Sequence, residues 1–295
     1  MTDTGRDRWS EWLLERRHGG DSDRRKEVAS HLAGIRDTVL DRADPGPGDT
    51  VLDVGCGNGL IGFGAVERVG PTGRVIFSDI SDDLLNLCRE HATDAGKNSR
   101  CEMVRASADD LAAIGDATVD VVTTRAVLIY LGDKAACFNE FFRVLRSGGR
   151  LSVYEPINAH MTSRNHDRTY GGYDVAPVAD LAAKLEALYA RYQPPDADPM
   201  LDFDERDLLE AAEQAGFAEI HLQLRVDIEP WLPPLNWDSF LNSAGNPLIP
   251  THAEAIAATL TADQADRFQA HLRPLVETGS GTRRLAITHL WAVKH

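Results

Sequence analysis

Val51-Leu52-Asp53-Val54-Gly55-Cys56-Gly57-Asn58-Gly59 is the stretch that decides the fold. A short apolar run carrying one acid is followed by three glycines at alternate positions. Such glycines let the backbone turn tightly and leave room for a ligand against the main chain. The pattern predicts a strand over 51–54, a glycine-rich turn, and a helix to about Arg68 whose first N–H groups are free for polar ligand atoms. The next apolar run, 75–79, also ends in an acid, Asp79. Beside the same crevice its carboxylate can accept two hydrogen bonds from the vicinal hydroxyls of a ribose.

Downstream the alternation continues. Ser81 with Asp82 and Asp83 starts a helix as an N-cap, and strands follow over 101–105 and 119–124. Asp133 opens a helix through Leu145 that stops at Ser147-Gly148-Gly149, and 150–155 is a fifth strand. Strands of this apolar kind alternating with helices imply a parallel sheet covered on both faces. Upstream, residues 1–44 read as helical, with apolar stripes at Trp9, Trp12, Leu13 and then Val28, Leu32, Ile35, Val39, Leu40. Asp44-Pro45-Gly46-Pro47-Gly48 breaks that pattern.

Beyond the fifth strand the chain is less regular. Helices are expected around 178–192 and over 204–217, the latter ending in a glycine cap. Residues 220–226 alternate apolar and polar, as suits an edge strand with one wet face. Residues 284–293 read as the last strand. About fifty residues separate these two strands, far more than a hairpin needs, with a helix near 262–275. The expected organisation is a helical cap (1–44), a cofactor-binding core (45–155), a lid insertion (156–203), a core continuation (204–230), a second lid insertion (231–282) and a final core strand (283–295).

Bulk properties narrow the function. The formal charge is −15, whereas a phosphate backbone calls for clustered Lys and Arg. The densest basic groups, Arg16-Arg17 and Arg24-Arg25-Lys26, are interleaved with Asp21 and Asp23 as on a solvated helix. No apolar run has the length of a membrane span, and the first residues lack the apolar core of a secretory signal. The four cysteines form no CxxC pair, which fits a reducing cytoplasm. Neither HExxH nor CxxC spacing occurs, so no metal is implied. The expected partner is a small-molecule substrate, with no nucleic acid and no membrane. Oligomeric state is left open.

Two cofactor classes suit the glycine turn. Residues 57–62 match GxGxxG, with Asp79 at a suitable distance for a nicotinamide dinucleotide. An acid two residues before the first glycine would face like charge in a pyrophosphate site. It belongs better beside an ammonium and a sulfonium, as in S-adenosyl-L-methionine. VLDVGCGNG (51–59) resembles the first motif of class I S-adenosylmethionine-dependent methyltransferases, and VIFSDIS (75–81) resembles their second acidic motif. VDVVTTRAVLIYL (119–131) and FFRVLRSGGRLSVYEP (141–156) look like their fourth strand, following helix and fifth strand. The similarity is best to small-molecule enzymes of the quinone-biosynthesis type and covers roughly 45–155.

The resemblance implies a Rossmann-like α/β fold: a seven-stranded, mostly parallel sheet with the last strand antiparallel beside the sixth at the edge, plus helical lid insertions. It also implies that Gly55, Cys56, Gly57 and Gly59 line the methionine moiety, with Asp53 toward its amino group. Asp79 would hold the ribose, with Ile80 beside it. Ala106-Ser107-Ala108 stands where the family has Gly-Asp-Ala, so Ser107 and Ala108 take the adenine position, with Asp109 or backbone alone as alternatives. Arg125 would touch cofactor or substrate. Tyr154, Tyr170, Tyr173, Trp231, Trp237 and Asn246 are the expected substrate residues. His166, His252, His271 and His289 are read as surface or packing residues.

Signatures of base methylation, an Asn/Asp-Pro-Pro-aromatic tetrad or a Pro-Cys nucleophile, are missing. Methyl transfer is an in-line displacement, and holding the reactants in a near-attack geometry supplies up to ~7–11 kcal/mol. A base is needed only for a hydroxyl, enol-carbon or protonated-amine acceptor. His160 ranks first for that role, Glu155 second, and Arg125 is an orienting cation. The rivals are a cofactor-binding enzyme of other chemistry such as cyclisation, an NAD-dependent oxidoreductase, and a non-enzymatic binding protein.

Overall fold

The computed structural model describes residues 5–160, 168–194 and 197–295. The strands that carry the site form as the apolar runs require. They are β1 (Thr50–Val54), β2 (Arg74–Asp79), β3 (Cys101–Arg105), β4 (Val119–Arg125), β5 (Leu145–Pro156), β8 (Ala218–Pro230) and β9 (Thr282–Val293). Their order in one sheet is β3-β2-β1-β4-β5-β9-β8. The pairs from β3 through β5 are parallel, and β9 lies antiparallel to β5. The seven-stranded Rossmann-like sheet with an antiparallel last strand is therefore present, and β8 takes the edge that its period-2 pattern indicated.

Between these strands run α3 (Leu60–Arg68), α4 (Asp82–Asp94), α5 (Lys134–Val144) and α7 (Glu205–Ala215). Their ends are set by local chemistry. The Ser81 hydroxyl accepts from Leu84 N–H at 3.1 Å, and Asp133 accepts from Ala136 N–H at 2.9 Å. Gly216, at φ 96°, closes α7 in the left-handed conformation. Val51, Val75, Phe77, Val121, Val122, Leu151 and Val153 are fully buried. Central parallel strands covered on both faces read as near-continuous apolar runs for this reason.

The chain divides into two compact units. One, residues 28–157, 203–225 and 287–295, holds the sheet; the other comprises 1–27, 158–202 and 226–286. The helix α2 (Ser22–Ala43) starts in the second unit and ends in the first, where Val39, Leu40 and Ala43 are buried. The second unit contains α1 (Arg8–Leu14), a small antiparallel pair β6 (Thr169–Tyr170) and β7 (Tyr173–Asp174), α6 (Ala179–Tyr192), α8 (Trp237–Leu241), α9 (His252–Thr259) and α10 (Ala262–Thr278). Tyr173, Leu181, Leu185, Phe268, Leu272 and Val276 build its own core. The β6–β7 pair, α8 and α9 were not anticipated. The Thr251–Glu254 capping box that starts α9 was there to be read. No helix among the described residues is long and apolar enough to cross a membrane.

Candidate active site

Register places Val54 level with Ser78 of β2 and Thr124 of β4. The turn after β1 is therefore flanked by the ends of both neighbours, at the C-terminal edge of the sheet where open α/β folds bind ligands. Gly55, Gly57 and Gly59 have φ of 64°, 54° and 83°, a region open at low cost only to glycine. Two of these glycines serve the protein itself. A Cβ on Gly55 would stand 2.2 Å from Val127 Cγ2, and one on Gly59 would meet the Phe63 ring at 2.5 Å. Gly55 and Gly59 thus also let the chain pack against itself.

Asp79 fastens the turn. One carboxylate oxygen accepts the Gly57 N–H at 2.8 Å and the other accepts the Ser81 N–H at 2.9 Å. Its backbone carbonyl takes the Ala106 N–H at 3.1 Å, which brings Ser107 and Ala108 to the same strand end. The Ser107 hydroxyl is bonded to Asp109, and Ala108 is buried. Ile80 is 43% exposed, an apolar face directly after the acid. The Cys56 N–H donates to Ser78 O at 2.9 Å, and the thiols of Cys56 and Cys88 both point at the Gly57 carbonyl.

Asp53 differs from expectation. Its oxygens accept the Thr123 hydroxyl at 3.0 Å and the Gly62 N–H at 2.8 Å, inside the protein. Burial pushes its carboxyl up to about 7 against those two bonds. It anchors the start of α3 and positions the turn. Glu155 is likewise corrected. Fully buried, it accepts N–H bonds from Val127, Leu128 and Ile129 at 2.8, 3.0 and 3.3 Å. Burial again raises the carboxyl to about 7, opposed by the three donors. A carboxylate so occupied braces the loop after β4 and does not serve as a base. Arg125 ends β4 opposite Tyr154. Burial lowers its pKa, and Tyr154, Asp53, Glu155 and Tyr130 oppose that shift. Tyr154 is 7% exposed and packs edge-on to His289, with centroids 4.6 Å apart.

The remaining candidates fall in the second unit. His160 is exposed in the 3-10 turn Asn158–His160. Tyr170, Tyr173, Trp237 and Asn246 are buried. The Tyr170 hydroxyl lies 2.7 Å from His252 Nδ1, Trp237 stacks on Phe240 at 5.6 Å, and Asn246 donates to Gln193 at 3.0 Å. Trp231 lies 6.1 Å from the Tyr173 ring. Tyr170, Tyr173 and Trp237 belong to the unit's core, and Trp231 packs against it. His166 lies outside the described residues. No cluster of His, Cys, Asp or Glu that could hold a metal occurs among the described residues. Sequence reasoning missed Thr123, Val127 and Cys88, whose roles arise from strand register and helix packing that no local pattern carries.

Comparison with known proteins bears on this arrangement. A family model described as a methyltransferase domain matches residues 45–193. Nocamycin O-methyltransferase of Saccharothrix syringae is 29% identical over 257 residues, covering 80% of this chain and 89% of that protein. The ubiquinone/menaquinone biosynthesis C-methyltransferase UbiE of Klebsiella pneumoniae is 36% identical over 140 residues, 46% of this chain and 55% of its own length. The chain thus spans about half the length of that relative. Among solved structures, the YcgJ protein of Bacillus subtilis superposes with a TM-score of 0.55 at 16% identity, over 90% of this chain and 99% of its own, a likeness of fold.

Proposed function

The chain belongs to the methyltransferase-domain family, matched over residues 45–193, and from that premise we propose that it moves the methyl group of S-adenosyl-L-methionine onto an oxygen or nitrogen of a small molecule. The observation that carries this reading is the Asp79 carboxylate tied to the glycine turn through Gly57, with exposed Ile80 next to it. A carboxylate has about four acceptor sites, so Asp79 can brace the turn and also receive ribose hydroxyls. Ile80 offers an apolar face to a flat ring. Ser107 stands at the adjoining strand end with its hydroxyl.

These residues fit the cofactor. When bound, S-adenosylmethionine supplies a methyl group on a sulfonium whose thioether leaves without acid assistance. The rest falls to the chain: Asp79 and the turn orient the donor, and Arg125 ends β4 at the same edge of the sheet. His160 is our candidate for proton removal where the acceptor is a hydroxyl or protonated amine. We place the activity in the reducing cytoplasm, on the four free, buried cysteines, without nucleic acid as partner.

Calorimetry with S-adenosylhomocysteine and NAD, followed by labelled methyl transfer to a panel of hydroxyl and amine acceptors, tests the proposal. Binding of the first and not the second, with label in a small product, is the expected result. Binding of NAD alone would sink it, and binding without turnover of any acceptor would favour a cyclase-like chemistry.

A further inference from the structure

Among the described residues the Arg125 guanidinium makes no side-chain hydrogen bond and no salt bridge. Arg125 is half-buried at the end of its strand, so its five N–H donors remain open to a ligand there. The two acids whose charge it feels are spent elsewhere. Asp53 is taken by Thr123 and Gly62, and Glu155 by the N–H groups of Val127, Leu128 and Ile129. Arg125 is therefore not their counter-ion in any geometric sense. Its position is fixed by the sheet. Thr124 is level with Val54 and Arg125 with Tyr154, so Arg125 stands one residue past the β1 register, beside Gly55. The loop that follows is held down by Ala126 N–H on Tyr154 O at 2.8 Å. It is also held by Val127 packed against Gly55.

Resting on the cofactor reading above, we infer that Arg125 is an anion-binding subsite at the glycine turn that takes a ligand carboxylate or other oxyanion through its planar fork of donors. Arg is suited to this because two parallel N–H groups match the two oxygens of a carboxylate. Charge balance points the same way. The donor brings an ammonium and a sulfonium, and an oxyanion held by Arg125 offsets the positive charge gathered there. That anion has two possible sources: the carboxylate of the donor's own amino-acid part, or an oxyanion on the acceptor. In the second case Arg125 also favours the ionised acceptor and reduces the need for a base, since Glu155 cannot act as one.

Calorimetry on wild type, Arg125→Met and Arg125→Lys separates these sources. The probes are S-adenosylhomocysteine, 5′-methylthioadenosine (which lacks the amino-acid part), and benzoate against benzamide on the S-adenosylhomocysteine-saturated protein. If the donor supplies the anion, Arg125→Met weakens S-adenosylhomocysteine at least tenfold and leaves 5′-methylthioadenosine unchanged. If the acceptor supplies it, S-adenosylhomocysteine is unaffected, while wild type binds benzoate over benzamide and Arg125→Met loses that preference. Arg125→Lys, which keeps the charge and loses the fork, falls between wild type and Arg125→Met in either case. Thermal melts confirm that the variants are folded, and a different residue at the same site, Asp79→Ala, serves as the positive control for lost binding. Unchanged affinity of folded Arg125→Met for S-adenosylhomocysteine, with no benzoate preference in wild type, overturns the inference. Wild type that binds no S-adenosylhomocysteine overturns instead the cofactor reading beneath it.

Discussion

Replacing His252 by Asn should make the protein's stability less sensitive to acid. His252 is partly buried, stacks on Phe240 at 4.3 Å and 7°, and bonds through Nδ1 to the Tyr170 hydroxyl at 2.7 Å. Burial alone lowers its pKa from 6.5 to about 4. The folded pKa is depressed, so the unfolded chain binds a proton that the native state refuses. Stability is then intact above about pH 6.5 and is lost as the pH falls toward 4. With these two pKa values, the loss between pH 7.5 and pH 5 is about 2 kcal/mol. Asn carries an amide near the position of Nδ1, retains a partner for Tyr170, and does not titrate. Urea unfolding of both proteins at pH 7.5 and pH 5.0, followed by tryptophan fluorescence, gives the double difference. Asp53 and Glu155, whose raised carboxyls act in the opposite direction, are common to both proteins and cancel. Equal acid sensitivity of wild type and His252→Asn would refute the neutral histidine.

Asp79→Ala leaves the Gly57 and Ser81 N–H groups without their acceptor and should weaken S-adenosylhomocysteine binding by about 1.5–3 kcal/mol; unaltered calorimetry in a folded variant removes Asp79 from the site. Gly55→Ala forces a Cβ to 2.2 Å from Val127 at φ 64° and should destabilise by ~1–3 kcal/mol, with part of the loss recovered in Gly55→Ala/Val127→Ala; no recovery in thermal melts would mean that the backbone angle and not the contact matters. His160→Ala should lower kcat by ~10²–10⁴ with cofactor affinity preserved if the imidazole takes the proton, whereas full turnover across pH 6–9 leaves positioning alone as the source of rate.

The sheet was legible because its signals are local. Apolar runs ending in Asp53-Val54 and Asp79, caps at Ser81 and Asp133, and a glycine after α7 each declare an element within a few residues of themselves. The glycine turn and Asp79 were legible for the same reason. What each carboxylate touches was not. Asp53 and Glu155 look like site acids in sequence, yet their partners, Thr123 at 70 positions and Val127 at 28 positions away, are set by how strands align. The packing of the aromatic residues Tyr170, Tyr173, Trp231 and Trp237 was not legible for a related cause. Aromatics, prolines and loops describe a lid and a small packed core equally well, and only contacts such as Tyr170 with His252 or Trp237 with Phe240 decide between them.

The placement of β9 between β5 and β8 has a consequence for synthesis. In the sheet it is the strand that joins β8 to the rest, but on the ribosome it is made after both. While residues 282–293 are still in the exit tunnel, β5 presents an open edge to the cell and β8 has no sheet to join, the condition under which strands pair with the wrong neighbour. Five crossings between the two units, at 27/28, 157/158, 202/203, 225/226 and 286/287, mean that the second unit is whole at residue 286 while the sheet-bearing unit still lacks 287–295. The sheet is therefore completed only once residues 282–293 have left the tunnel, and until then its β5 edge stays unpaired.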